Sequence, residues 1–447
     1  MAIIVTEFDG VEKGCIDQEF VATPVTLEPM DSDEITLNSE EITDINNQVV
    51  AQVHQLESLN AFELGEINKA FEALLVTESL YNEDLTQYQK EKRLAALESL
   101  DFSLPSMESN EDKEKCILTR IWEWIKNAFE SFKKRMLKVG QWIKIQVKKM
   151  VRAIRGKNKN TITKLETLKK ESDSDLVDFE ISKTLMTEVF FTKSVKEAKD
   201  LLECIQTQDK VFSQLTIACS MLRLHYSETY KKLKENTFDK IFTKEELATM
   251  IEKELGKLSS SAGSIKIEDG KIVVINDHND YLFEDIPSEI TDGNYKFKMS
   301  FDDMINLVKA IDASIVKLED ELDTVYAQTD RLIVSVAGEL KEAEQFMKEF
   351  LKARKETMKD RNVGFTVDKE AVNHDRLVVK TRIILLQELS GAMAVDINNS
   401  NTYLLNPVVK YIGRLGKASE MIDKLVMQEV RNSVNKAVDL ADKAGSE

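Results

Sequence analysis

The chain has 447 residues, 42% of them apolar, with only 5 Pro and 15 Gly, and a formal net charge of -18. That composition excludes a globally disordered or collagen-like protein and gives two or three domains' worth of chain, enriched in helix formers, so a mainly α class is expected. Cys15, Cys116, Cys204 and Cys219 lie far apart with no CxxC pair, which excludes a disulfide framework and favours reduced thiols.

The start, MAIIVTEFDG, lacks a basic n-region, and nowhere do 18 apolar residues run together. Neither a signal peptide nor a spanning helix is expected, so the protein is soluble or at most peripheral to a membrane. Residues 1–108 carry 23 acids and 5 bases, a net of -18, which leaves 56 acids and 56 bases in residues 109–447. The acidity is thus confined to one N-terminal block. Its first 45 residues, with Pro24, Pro29 and the run Asp31 to Glu34, read as extended or disordered chain. Residues 45–98 read as helix on the spacing of Leu56, Leu59, Phe62, Ile67, Phe71 and Leu75, and the stretch DFSLPSMESNED around Pro105 reads as a linker.

Residues 113–159 reverse the balance, with 15 Lys or Arg against 3 Glu, and hold all three tryptophans, Trp122, Trp124 and Trp142. Leu118, Ile121, Trp122, Ile125, Phe129, Phe132, Met136, Val139, Ile143, Val147, Met150 and Ile154 form an apolar stripe at helical spacing. The cations fall mostly off it. A basic amphipathic helix serves polyphosphate, an anionic membrane surface, an acidic protein face, or a core with solvated lysines.

The turn GKNKNT (Gly156 to Thr161) is expected to end that helix, and residues 161–257 read as several helices broken at Ser172 to Asp175. IKIEDGKIVVI around Asp269-Gly270 signals a two-residue hairpin, and Asp292-Gly293 precedes an alternating YKFKM, so a small β insert of two to four strands is expected over 261–300. DHND (Asp277 to Asp280) lacks calcium-loop spacing. From Ser300, Met304, Val308, Ile311, Ile315, Leu318, Leu322, Val325, Thr329, Leu332 and Val336 alternate by four and three, a seam suited to a coiled coil or bundle. Two further helices, 368–395 and 403–444, are expected on either side of a turn at Asn398 to Asn401, all three packing antiparallel.

Enzyme motifs are missing. There is no GxxxxGK[ST], GxGxxG, HExxH or GxSxG, and His54, His225, His278 and His374 stand apart from one another and from Cys, so no metal or cofactor is expected.

The order of parts, an acidic region, a linker ending in Ser106-Met107-Glu108, a Trp-bearing basic helix and a motif-free helical body, resembles the internal head proteins of giant tailed bacteriophages of the phiKZ type. In that family a prohead maturation protease removes an N-terminal propeptide by cutting after Glu in a small-residue, any-residue, Glu pattern. Up to Glu111, 8 of 17 glutamates have Ser, Ala or Gly two residues before them, and beyond it only 4 of 30 do. The resemblance implies a cut at Ser106-Met107-Glu108 before Ser109, or at Ala96-Leu97-Glu98 before Ser99. It also implies a non-enzymatic protein inside the capsid, associated with packaged DNA and other capsid or internal proteins, and ejected into the host cytoplasm.

The expected divisions are 1–108 (propeptide-like), 109–160 (basic helix), 161–260 (helical), 261–300 (β insert) and 301–447 (helical bundle), with 109–447 stable by itself. The expected DNA contacts are Lys126, Lys133, Lys134, Arg135, Lys138, Lys144, Lys148, Lys149, Arg152, Arg155 and Lys157, nonspecific and salt-dependent. Cutting would expose them, because the attached acidic block neutralises the helix. The rivals are peripheral membrane contact through the same helix, and a purely structural homo-oligomer.

Overall fold

The computed structural model describes residues 37, 39–80, 86–99, 117–172, 175–183, 186–187, 198–236, 241–258, 260–262, 265–268, 271–274, 293–363 and 369–444. They form a mainly α protein with bundle packing and small antiparallel sheets. The helices are α1 (Ser39–Leu80), α2 (Gln87–Ser99), α3 (Ile117–Glu171), α4 (Ala198–Asn236), α5 (Lys244–Leu255), α6 (Phe301–Val363), α7 (Lys369–Ser400) and α8 (Asn406–Ala444). The strands are β1 (Leu176–Ser182), β2 (Ser260–Ala262), β3 (Ile265–Glu268), β4 (Lys271–Val274) and β5 (Asn294–Ser300).

α3 is the hub. The stripe from Leu118 to Ile154 is buried along its whole length, against α1, α6 and α8. The helix does not stop at Gly156. Asn158 and Thr161 are buried, Thr161 Oγ1 lies 3.0 Å from both Lys157 O and Asp423 Oδ1, and Leu165 and Leu168 continue the stripe to Glu171. Turn propensity in GKNKNT therefore yields to tertiary packing. The break at Ser172 holds, and Ser172 N–H donates to Leu168 O at 2.9 Å.

Beyond the break the chain forms not a helix but β1, which pairs antiparallel with β5 from Leu176 opposite Ser300 to Ser182 opposite Asn294. β1 leaves α3 and β5 enters α6, so the pair ties the end of one long helix to the start of another. Phe301 N–H donates to Asp175 O at 3.2 Å, and Lys169 Nζ meets Asp302 at 2.6 Å. Gly293, at φ 139°, immediately precedes β5 in a backbone region that side chains disfavour. The strands expected on either side of Asp269-Gly270 are present as β3 and β4 in antiparallel register, Glu268 opposite Lys271, and residues 269–270 themselves lie outside the described residues.

The heptad seam of α6 is used inside the molecule. Met304, Val308, Ile311, Ile315, Leu318, Leu322, Val325 and Val336 are buried, in contact with α3, α4, α7 and α8.

The expected turn at Asn398 to Asn401 is absent. α7 runs without interruption into one π turn, Asn401–Leu405, and on into α8. Pro407 has no N–H for Tyr403 O and crowds that carbonyl. The wider turn, in which Asn406 N–H donates to Asn401 O, carries the helix past it.

α1 runs antiparallel to this long helix: Asn46 abuts Gly413, His54 Nε2 is 3.3 Å from Asn406 Nδ2, and Gln387 Nε2 donates to Glu72 Oε1 at 3.3 Å. Val49, Val53, Leu64, Ile67, Phe71 and Leu74 share one core with α3, α7 and α8. Residues 39–80 are thus structural members of the body. This corrects the expectation that residues 109–447 stand alone: net charge marks surface chemistry, whereas apolar spacing decides what is buried. Phe62, read as a core position, is 69% exposed.

A buried polar knot joins α4, α6 and α7. Arg223 Nε donates to Asp396 Oδ2 at 2.6 Å, and its other nitrogens donate to Ser400 Oγ at 2.5 Å and Val325 O at 3.1 Å. Nearby, Thr243 and Glu246 form a capping box that opens α5, which seats Leu247 against Leu233, Ile384 and Leu385.

Candidate functional site: the outer ridge of the basic helix

At 100° per residue the cations of α3 fall into three groups around its axis. The first group flanks the core on the α6 side. Lys126 meets Glu344 at 2.7 Å, Lys144 and Lys148 share Asp323 at 2.9 and 3.4 Å, and Arg155 Nε reaches Asp312 at 3.2 Å. Lys133 pairs within the helix, 3.5 Å from Glu130.

The second group flanks the core on the other side, where Arg135 meets Glu63 of α1 at 2.5 Å and Lys164 meets Asp423 of α8 at 2.9 Å. Burial holds the Glu63 carboxyl above its ordinary value, and Arg135 opposes that rise. On the α6 side, hydrogen bonds from Lys126 and Lys348 hold Glu344 below its ordinary value.

The third group points away from the core. Lys134, Lys138, Arg152 and Lys159 are exposed and Lys149 is half-buried, and none has an acidic partner within 4.0 Å among the described residues, although Arg152 is near enough to Glu319 of α6 to oppose the rise that burial gives its carboxyl. They fall within an arc of about 80° and span roughly 37 Å of axis at 1.5 Å per residue. No Asp or Glu occurs from residue 131 to 165, so nothing on the helix itself breaks the run of positive charge.

The cations expected from the sequence to contact DNA are therefore divided by the structure between matched and unmatched positions. Lys126, Lys133, Arg135, Lys144, Lys148 and Arg155 are engaged by acids, and Lys157 also has a partner. Lys159, omitted from the expected contacts, belongs to the ridge; helical phase alone would have found it. The proposed cut at Ser106-Met107-Glu108 before Ser109 lies outside the described residues, whereas Ala96 to Ser99 form the last turn of α2.

With its apolar stripe in the core, α3 presents to solvent a charged and polar face, not the amphipathic face that enters a membrane interface. No helix among the described residues is long and apolar enough to cross a membrane, and no cluster of three or more His, Cys, Asp or Glu among them is placed to hold a metal ion.

Comparison with known proteins adds no assignment: no family model, no curated protein and no solved structure matches the chain.

Proposed function

We propose that the protein is a non-enzymatic helical protein that lies against duplex DNA through the outer ridge of α3, in the manner of a phage internal head protein inside the capsid. The observation that carries this reading is the ridge itself, five cations on one arc with no acid among them, in a protein of net charge -18. Its span of about 37 Å is on the order of one turn of duplex, where phosphates recur on an accessible face. Contacts of this kind neutralise phosphates and read no sequence.

Processing takes a particular form in this reading. A cut after Glu108 or Glu98 severs the chain, yet α1 stays seated by its own burial, so maturation nicks the acidic block without shedding its helix under native conditions.

Fluorescence anisotropy with a 30-base-pair duplex tests the reading. Five neutralised phosphates give a log affinity against log salt slope of about -4.5. Replacing Lys134, Lys138, Lys149, Arg152 and Lys159 with Gln removes most of that slope, while Lys144→Gln, on the flank, leaves it nearly unchanged. Absence of binding at low salt, or equal binding by the ridge variant, overturns the proposal.

Self-association is a second reading, favoured by the last turns of α8, where Met427, Val434 and Val438 lie exposed on one side. Light scattering decides it: a single-chain mass at high concentration rules it out.

A further inference from the structure

We infer that the acidic segment before α1, residues 1–36, docks on the outer ridge of α3 and masks it against external polyanions. The inference rests on the reading of that ridge as a phosphate-contacting surface and names what regulates it.

Three observations converge. The first is charge. Residues 1–36 hold nine acids and one lysine, distributed from Glu7 to Glu34, opposite in sign to a ridge that has no acid of its own.

The second is the tether point. Leu37 packs on the core, and Ile42, in the first turns of α1, meets Ile154 of α3 across Gly416, where an added Cβ would lie 3.0 Å from Ile154 Cδ1 and 3.6 Å from Ile42 Cγ2. Along the axis of α3, Ile154 falls between Arg152 and Lys159 but on the core face, so the acidic segment is anchored level with one end of the ridge and on the opposite side of the helix. The third is reach. Thirty-six residues span at most about 120 Å extended, against roughly 37 Å of ridge and a helix diameter of about 10 Å to pass around.

A segment tethered this close faces the ridge at an effective concentration on the order of millimolar. Many weak carboxylate–ammonium contacts, each screened by salt, then compete with an incoming duplex. The masking is therefore strongest at low ionic strength and disappears at high salt. It also differs from general repulsion by a protein of net charge -18, because it protects ridge lysines specifically.

The test uses the full chain and a zero-length carbodiimide crosslinker at low protein concentration, with mass spectrometry of the monomeric product. Docking yields crosslinks between carboxylates of residues 7–34 and Lys134, Lys138, Lys149 or Lys159, lost at 0.5 M salt. A full-length variant with the nine acids changed to Asn or Gln shows the same lysines acetylated several times faster, and binds a 30-base-pair duplex about tenfold more tightly at low salt. N-terminal carboxylates that crosslink elsewhere, or ridge lysines that acetylate equally in both proteins, overturn the inference even if DNA binds. Ridge crosslinks in a protein whose neutralised variant binds no DNA uphold the masking and overturn the DNA reading alone.

Discussion

α1 and α3 lie side by side in one core, yet they meet it with different chemistry. From Leu118 to Ile154 the inward face of α3 is apolar and weighted toward large side chains, with Ile121, Phe129, Phe132, Ile143 and Met150 each no more than 1% exposed, and only past Ile154 does it bury the amide of Asn158 and the hydroxyl of Thr161. The inward face of α1 is interrupted. Asn60 is buried between Leu56 and Leu64 with neither amide atom bonded, and Asn46 and Asn68 fit against Gly413 and Gly391 on the long helix opposite. A seam of Leu, Ile and Phe holds strongly but tolerates repacking. An amide set against a glycine fits at one alignment and clashes at the next, as polar residues do in coiled-coil seams. α3 thus supplies most of the adhesion, and α1 supplies alignment.

The largest break in this comparison comes from removing what adhesion α1 does have. Phe71 is 1% exposed and meets Trp122 of α3 edge-on, with ring centroids 6.4 Å apart. Phe71→Ala is expected to cost about 3–5 kcal/mol in urea unfolding. Phe62→Ala, on the outer face of the same helix, is expected to change stability by no more than about 0.5 kcal/mol. Equal effects would mean that α1 is not seated in the core.

Glycine substitutions sharpen the alignment half. A Cβ at Gly413 would lie 2.7 Å from Asn46 Cγ, whereas one at Gly65 meets nothing within 4 Å. Gly413→Ala should therefore destabilise by about 1–3 kcal/mol through overpacking. Gly65→Ala should stabilise by about 0.5–1 kcal/mol by restricting the unfolded chain and favouring helix. Thermal unfolding of the two variants moves in opposite directions if close approach, and not helix propensity, governs the α1 seam.

Much of this architecture was legible in the sequence, for reasons that differ by element. The apolar stripe of α3 and the seam of α6 were readable because periodicity reports burial directly, and the strands on either side of Asp269-Gly270 because that dipeptide suits a hairpin turn. β1 was missed because LVDFEIS pairs with a partner more than a hundred residues away, a contact no local window contains. GKNKNT and NNSN were misread because their turn propensity is real but outweighed, in one case by Thr161 and Leu165 packing inward and in the other by a π turn that carries the helix past Pro407. The charge blocks misled on domain division. They place the ridge correctly on α3, but say nothing about which cations are matched by Glu63, Asp312, Asp323 or Glu344 across the bundle.

A small expected effect, at Asn60, is the most diagnostic of what α1 does. Asn60 is 1% exposed, and neither its Nδ2 nor its Oδ1 has a hydrogen-bond partner among the described residues. Burying an unbonded amide costs on the order of 1–3 kcal/mol, and a branched apolar side chain of similar volume removes that cost while adding contact with Leu56 and Leu64. Asn60→Leu is therefore expected to raise stability by about 1 kcal/mol, because part of the gain is lost to imperfect fit. If the residue specifies alignment, the gain comes with a looser structure: amide exchange in α1 speeds up relative to α3 although global unfolding becomes harder. A variant that is both more stable and equally protected along α1 would show that Gly413 and Gly391 set the alignment and that Asn60 contributes nothing to it.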